Sequence, residues 1–130
     1  MKKSIIIISF YSLLISCTNE IKSKPKFELP KYSISKENFT NKIKEVDTVI
    51  IGYSYEIKSG LFSNSSVNKL SIELYYDNDK SRDDTFMKNQ FEEIKENAKK
   101  EILNLSQYDV LELKIFNQKS EIKSFEEIIK

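Results

Sequence analysis

Lys69-Leu70-Ser71-Ile72-Glu73-Leu74-Tyr75-Tyr76, followed after a polar break by the stretch from Met87 to Leu105, decides the fold of this 130-residue chain. In the first segment Leu70, Ile72, Leu74 and Tyr76 fall on one side of an extended chain, with Lys69, Ser71, Glu73 and Tyr75 on the other. That period of two describes a strand with one dry face. In the second, Met87, Phe91, Ile94, Ala98, Ile102 and Leu105 recur at steps of three and four, while Glu92, Glu93, Lys95, Glu96, Lys99 and Lys100 fill the gaps. That spacing predicts a helix with a single apolar stripe. Ser81 with Asp84 three residues on is a capping-box candidate, and Asp83 is an alternative cap. A one-faced strand and a one-striped helix must each be covered, so they are expected to pack together in two layers.

Upstream, Val49, Ile51, Tyr53, Tyr55 and Ile57 alternate with Thr48, Ile50, Gly52, Ser54, Glu56 and Lys58, which predicts another strand. The connection from Ser59-Gly60 through Leu61-Phe62 to Ser66 makes the two strands an antiparallel hairpin with a long loop. Downstream, Tyr108 to Asn117 predicts a third strand with Leu111, Leu113 and Ile115 inward, and Asn117-Gln118-Lys119-Ser120 a turn. The tail from Glu121 fits either an edge strand or a short helix capped at Ser124; a strand over 121–125 followed by a helical turn fits slightly better. Before the hairpin, Ser35 as N-cap and Phe39, Ile43 and Val46 predict a short helix, with Ile34 placed to staple onto Phe39. The expectation is a small α+β sandwich of order α-β-β-α-β, with a possible last β. An antiparallel sheet of three or four strands is covered by one long amphipathic helix, all within a single domain over 34–130.

The first residues read differently. Met1-Lys2-Lys3 is basic, Ile5 to Ile15 is an apolar run, and Leu14-Ile15-Ser16 precedes Cys17, the sole cysteine. The run is too short to span a bilayer as a helix of roughly 20 residues. These seventeen residues resemble the signal of bacterial lipoproteins, whose box of Leu, a small or apolar residue, a small residue and Cys is filled in order by Leu14, Ile15, Ser16 and Cys17. The resemblance implies thioether lipidation of Cys17, cleavage of residues 1–16, and acylation of the new amino terminus, with palmitate among the possible chains. Membrane lipid held through Cys17 is then the first partner, since several acyl chains anchor a protein stably where one does so only marginally. The expected location is the cell envelope, on the outer membrane or the cell membrane, facing the periplasm or the exterior. Residues 17–33 contain both prolines, Pro25 and Pro30, and little apolar material, and are expected to form a flexible tether.

Composition removes several function classes. Loss of residues 1–16 takes two lysines and no acid from 21 basic and 20 acidic side chains, so the mature chain is near neutral and offers no basic face for nucleic acid. The chain has no histidine, which excludes Ser-His-Asp and Cys-His catalysis and histidine metal sites. Two glycines exclude a Walker loop or a dinucleotide fingerprint. No cofactor is expected.

Three places remain. Asp77, Asp79 and Ser81, with Asp83 next in the alternation, occupy the first ligand positions of a calcium loop, but Arg82 stands where Gly is needed and Lys88 where the bidentate Glu belongs. Asx turns and a helix cap explain the same residues, so no metal site is assigned. Glu56 and Glu73, on neighbouring strands, are carboxylates of the kind a glycosidase pairs, yet both read as solvated exterior residues. Leu61 and Phe62, in a polar loop near Tyr53, Tyr55, Tyr75, Tyr76 and Tyr108, either close the end of the core or form a contact site for a protein or glycan. The functional expectation is a membrane-anchored, non-catalytic binding or structural module of the envelope. The alternatives are an inhibitor or immunity-type protein, or a carboxylate-dependent envelope hydrolase.

Overall fold

The computed structural model describes residues 28–78 and 82–130, and in them the chain is α+β. The elements are α1 (Lys36–Asn41), β1 (Thr48–Ser59), β2 (Asn64–Tyr76), α2 (Asp84–Glu101), a 3₁₀ turn (Leu105–Gln107), β3 (Val110–Asn117) and β4 (Ser120–Ile128). The four strands form one sheet in the order β1-β2-β3-β4.

The sheet is mixed, which corrects the expected antiparallel arrangement. β1 and β2 pair antiparallel, as do β3 and β4, but β2 and β3 run parallel. The cause is α2, which carries the chain from the end of β2 back along its length before β3 starts. A strand entered after such a crossover runs parallel to the one before it.

Core residues come from the positions that periodicity marks. Leu70, Ile72, Leu74 and Tyr76 of β2 and Leu111, Leu113 and Ile115 of β3 meet Met87, Phe91, Ile94 and Ala98 of α2. The cover is shared, however: Phe39, which is wholly buried, and Ile43 bring the α1 region into the same cluster. The Ser35 hydroxyl caps α1 by accepting from the Asn38 N–H (3.0 Å). Ile34 is exposed rather than stapled, and the Tyr32 ring lies against Phe39 instead, at 5.8 Å between centroids. Asp83 caps α2, its side chain accepting from the Phe86 N–H (2.7 Å); Ser81, the other candidate, lies outside the described residues.

Two boundaries move for one reason. The helix expected to reach Leu105 stops at Glu101, because residues 31–33 bond across its end. Ser33 N–H donates to the Glu101 carbonyl (2.8 Å) and Leu103 N–H to the Lys31 carbonyl (2.7 Å), forming an isolated bridge between Tyr32 and Ile102. The same bonds hold residues that were expected to belong to the tether. Asn104 adds to them, accepting from the Lys31 N–H (2.7 Å) and donating to the Leu29 carbonyl (3.0 Å).

The tail is a strand throughout. β4 continues to Ile128 with no final helical turn, its register shifting between Ile115 and Phe116 of β3. Phe125 thereby stacks on Phe91 at 5.2 Å and 12°, so the edge strand contributes to the apolar layer.

Candidate functional site

β1 and β2 are longer than the rest of the sheet. β3 first pairs with β2 at Lys69, opposite Val110, so Asn64–Asn68 and the β1 residues opposite them form a two-stranded arm beyond the four-stranded body. The connection is a tight turn, shorter than the loop expected, because Asn64, Ser65 and Ser66 belong to the ladder. Gly60 N–H donates to the Ser63 carbonyl (2.8 Å), and a Cβ on Gly60 would stand only 3.2 Å from that oxygen. Glycine permits this closure.

Leu61 and Phe62 sit at the end of the arm, 96% and 101% exposed, and neither folds back on the core. The side of the arm continuous with the core-facing surface carries Tyr55 and Ile57, placed by the register opposite Asn68 and Ser66, with Tyr53 at its base opposite Leu70. Ile57 is 66% exposed although its alternation is that of an inward residue. The sequence pattern misplaces it because a period of two gives the face of a strand and not whether a second layer reaches that far. The strand lengths in the structure show the cause: β1 has twelve residues and β3 only eight.

Of the tyrosines grouped with this loop, the structure places Tyr55 on the arm and Tyr53 at its base. Tyr76 is in the core, donating to Gln90 Oε1 (2.6 Å) beneath the Arg82 guanidinium, which lies 3.5 Å from its ring centroid. Tyr75 stacks on Phe116 on the opposite face of the sheet, at 4.6 Å. Tyr108 lies at the base of the arm, 2% exposed, its hydroxyl donating to the Glu28 carbonyl (2.9 Å). Burial pushes its phenol up to about 12.

The carboxylates are arranged around lysines. On the outer face Lys69 reaches Glu126 (2.8 Å), Glu56 (3.6 Å) and Glu112 (3.9 Å). The hydrogen bond that the Lys69 ammonium donates to Glu126 holds that ammonium above its ordinary value and the Glu126 carboxyl below the usual range. Glu56 and Glu73 are not neighbours: Glu56 pairs with Val67 and Glu73 with Ile50. Six residues of β2 separate those levels, about 20 Å, well outside the spacing of a glycosidase pair. Glu101, largely buried, is paired with Lys42.

One cavity of about 240 Å³ lies between the residues after α1 and α2, lined in part by Glu45, Gln90, Glu93 and Ile94. Its two carboxylates are on exposed residues. Of the calcium candidates, Asp79 and Ser81 lie outside the described residues. Asp83 is engaged as a helix cap, and the Asp77 N–H donates to Asp47 Oδ2 (2.8 Å). Among the described residues no group of three or more acidic or thiol side chains is placed to hold a metal ion, and no helix is long and apolar enough to cross a membrane.

The geometry thus offers an apolar projection with Ile57, Leu61 and Phe62 exposed. Comparison with protein-family models, with curated proteins and with solved structures found no match to this chain.

Proposed function

We propose that this chain is a bacterial lipoprotein, acylated at Cys17, whose folded part is a non-catalytic binding module of the cell envelope. The contact surface is the β1 side of the arm, with Tyr53, Tyr55 and Ile57 along it and Leu61 and Phe62 at its end. One observation carries the contact reading: a paired ribbon extends past its own covering layer and holds large apolar side chains in solvent. Leaving an isoleucine, a leucine and a phenylalanine exposed forgoes about 1.5–3 kcal/mol for each that could have been buried. A partner covering them would recover part of that, and exposed apolar patches mark such interaction sites. The partner of the strip from Tyr53 to Ile57 is another protein or an envelope polymer.

The test is photo-crosslinking in intact host cells from a reactive residue at Ile57, with the same residue at Glu73 as a control on the opposite face. A discrete adduct from position 57 alone supports the reading; equal or absent adducts at both positions reject it. The anchor is tested separately by fractionation and mass spectrometry. Cys17→Ser should release the chain from the membrane fraction, and an unmodified thiol in host material would remove the lipoprotein reading.

A further inference from the structure

We propose that Leu61 and Phe62 insert into the bilayer that anchors the chain, making the tip of the arm a second, non-covalent membrane contact that fixes how the domain stands on the surface. The inference rests on the lipoprotein reading and assigns the end of the arm to lipid, leaving the strip at Tyr53, Tyr55 and Ile57 to the protein or polymer partner.

Where the chain enters the fold is the first argument. Glu28 is held at the base of the arm by the Tyr108 hydroxyl, and the next residue, Asp109, clasps β2 where the arm begins. Asp109 N–H donates to the Asn68 carbonyl (2.8 Å), and Asn68 N–H donates to Asp109 Oδ2 (2.8 Å). The amino-terminal side of the chain therefore meets the body at the end from which the arm projects.

Length is the second. Residues 18–27 separate Cys17 from Glu28. As a coil ten residues average about 17 Å, and fully extended they reach at most about 35 Å. The five β2 residues of the arm that precede the first β3 pairing rise about 16 Å, and the turn lies beyond them. Anchor and tip can thus stand at one level without stretching the connection.

Chemistry is the third. The eight residues Ser59-Gly60-Leu61-Phe62-Ser63-Asn64-Ser65-Ser66 carry no charge, so seating the tip among head groups desolvates no ion. Two apolar side chains hold a free protein on a membrane only weakly. On a chain already tethered beside the surface, the second contact forms at a high effective concentration.

The chain has no tryptophan and one cysteine, which makes the test direct. Residues 17–130 carrying Phe62→Trp are coupled through Cys17 to maleimide lipid in vesicles of phosphatidylethanolamine and phosphatidylglycerol. A second protein carries Ile50→Trp, on the opposite face of the body. The expected result is blue-shifted emission quenched by brominated acyl chains for the tip, and neither effect at position 50. In the uncoupled chain, Phe62→Ser should lower partitioning onto the same vesicles about tenfold or more. Coupled tip emission identical to that in buffer would overturn the proposal. A blue shift that needs no vesicles and rises with protein concentration would also overturn it, by placing a second copy on the tip. Chemical coupling supplies the anchor whether or not the host acylates Cys17, so failure at the tip is read apart from failure of the lipoprotein reading.

Discussion

The β1–β2 hairpin is one ladder with two environments. From Thr48 to Ser54, opposite Lys69 to Tyr75, it lies beneath α2 and beside β3; from Tyr55 to Ser59, opposite Asn64 to Asn68, it is a two-stranded ribbon that β3 does not reach. Leu70, Ile72, Leu74 and Tyr76 have no exposed surface, whereas Ile57, a few residues away on the same face, is two-thirds exposed. Alternation is common to both halves. What differs is whether a second layer exists to remove water from the apolar face, and burial follows that layer.

The sharpest way to break this contrast is to truncate one apolar residue in each half. Phe91→Ala removes a buried ring that stacks on Phe125, and it should destabilise the fold by about 3–5 kcal/mol in urea unfolding monitored by circular dichroism. A domain of this size has only about 5–15 kcal/mol to lose, so that loss is a large share of the total. A loss below about 1 kcal/mol would mean that α2 does not cover the sheet as described.

Tyr108, at the junction of the halves, gives the next largest effect and has a defined sign. Its folded value of about 12 exceeds the ordinary tyrosine value of about 10, so the folded state keeps a proton that the unfolded chain gives up. The contribution is fully present below about pH 10 and declines until about pH 12, by up to about 3 kcal/mol. The difference in unfolding free energy between the parent chain and Tyr108→Phe, measured stepwise from pH 9 to 12, should shift against the parent by up to about 3 kcal/mol over that window.

Inside the body, Tyr76→Phe leaves Gln90 Oε1 buried without its donor, and about 1–3 kcal/mol should be lost at neutral pH. On the arm, Ile57→Ser and Phe62→Ser should change stability by no more than about 0.5 kcal/mol. Backbone amides of 55–58 and 64–67 should also exchange with solvent well before those of 70–76, since the arm lacks the packing that couples local opening to global unfolding. Arm substitutions that cost as much as Phe91→Ala would show that the tip is a folding contact.

Much of this was legible beforehand because it is local. The inward sets Leu70-Ile72-Leu74-Tyr76 and Leu111-Leu113-Ile115, the stripe Met87-Phe91-Ile94-Ala98, and the cap at Ser35 all follow from repeat distances fixed by backbone geometry. The misplaced features all depend on partners distant in sequence. α2 ends at Glu101 because residues 31–33 reach its last turn, β4 stays extended because β3 offers it a ladder, and Glu56 and Glu73 are separated by a register that neither residue encodes.

By itself the sequence determined the α+β class, the faces of its strands and helices, the absence of histidine chemistry and the lipoprotein-like start, since each is a property of neighbouring residues or of composition. Only the tertiary structure decided that the sheet is mixed, that residues 28–33 belong to the body, and that Leu61 and Phe62 stand in solvent at the end of an arm. Burial and strand direction are set by which distant segment arrives alongside, and no local pattern contains that information.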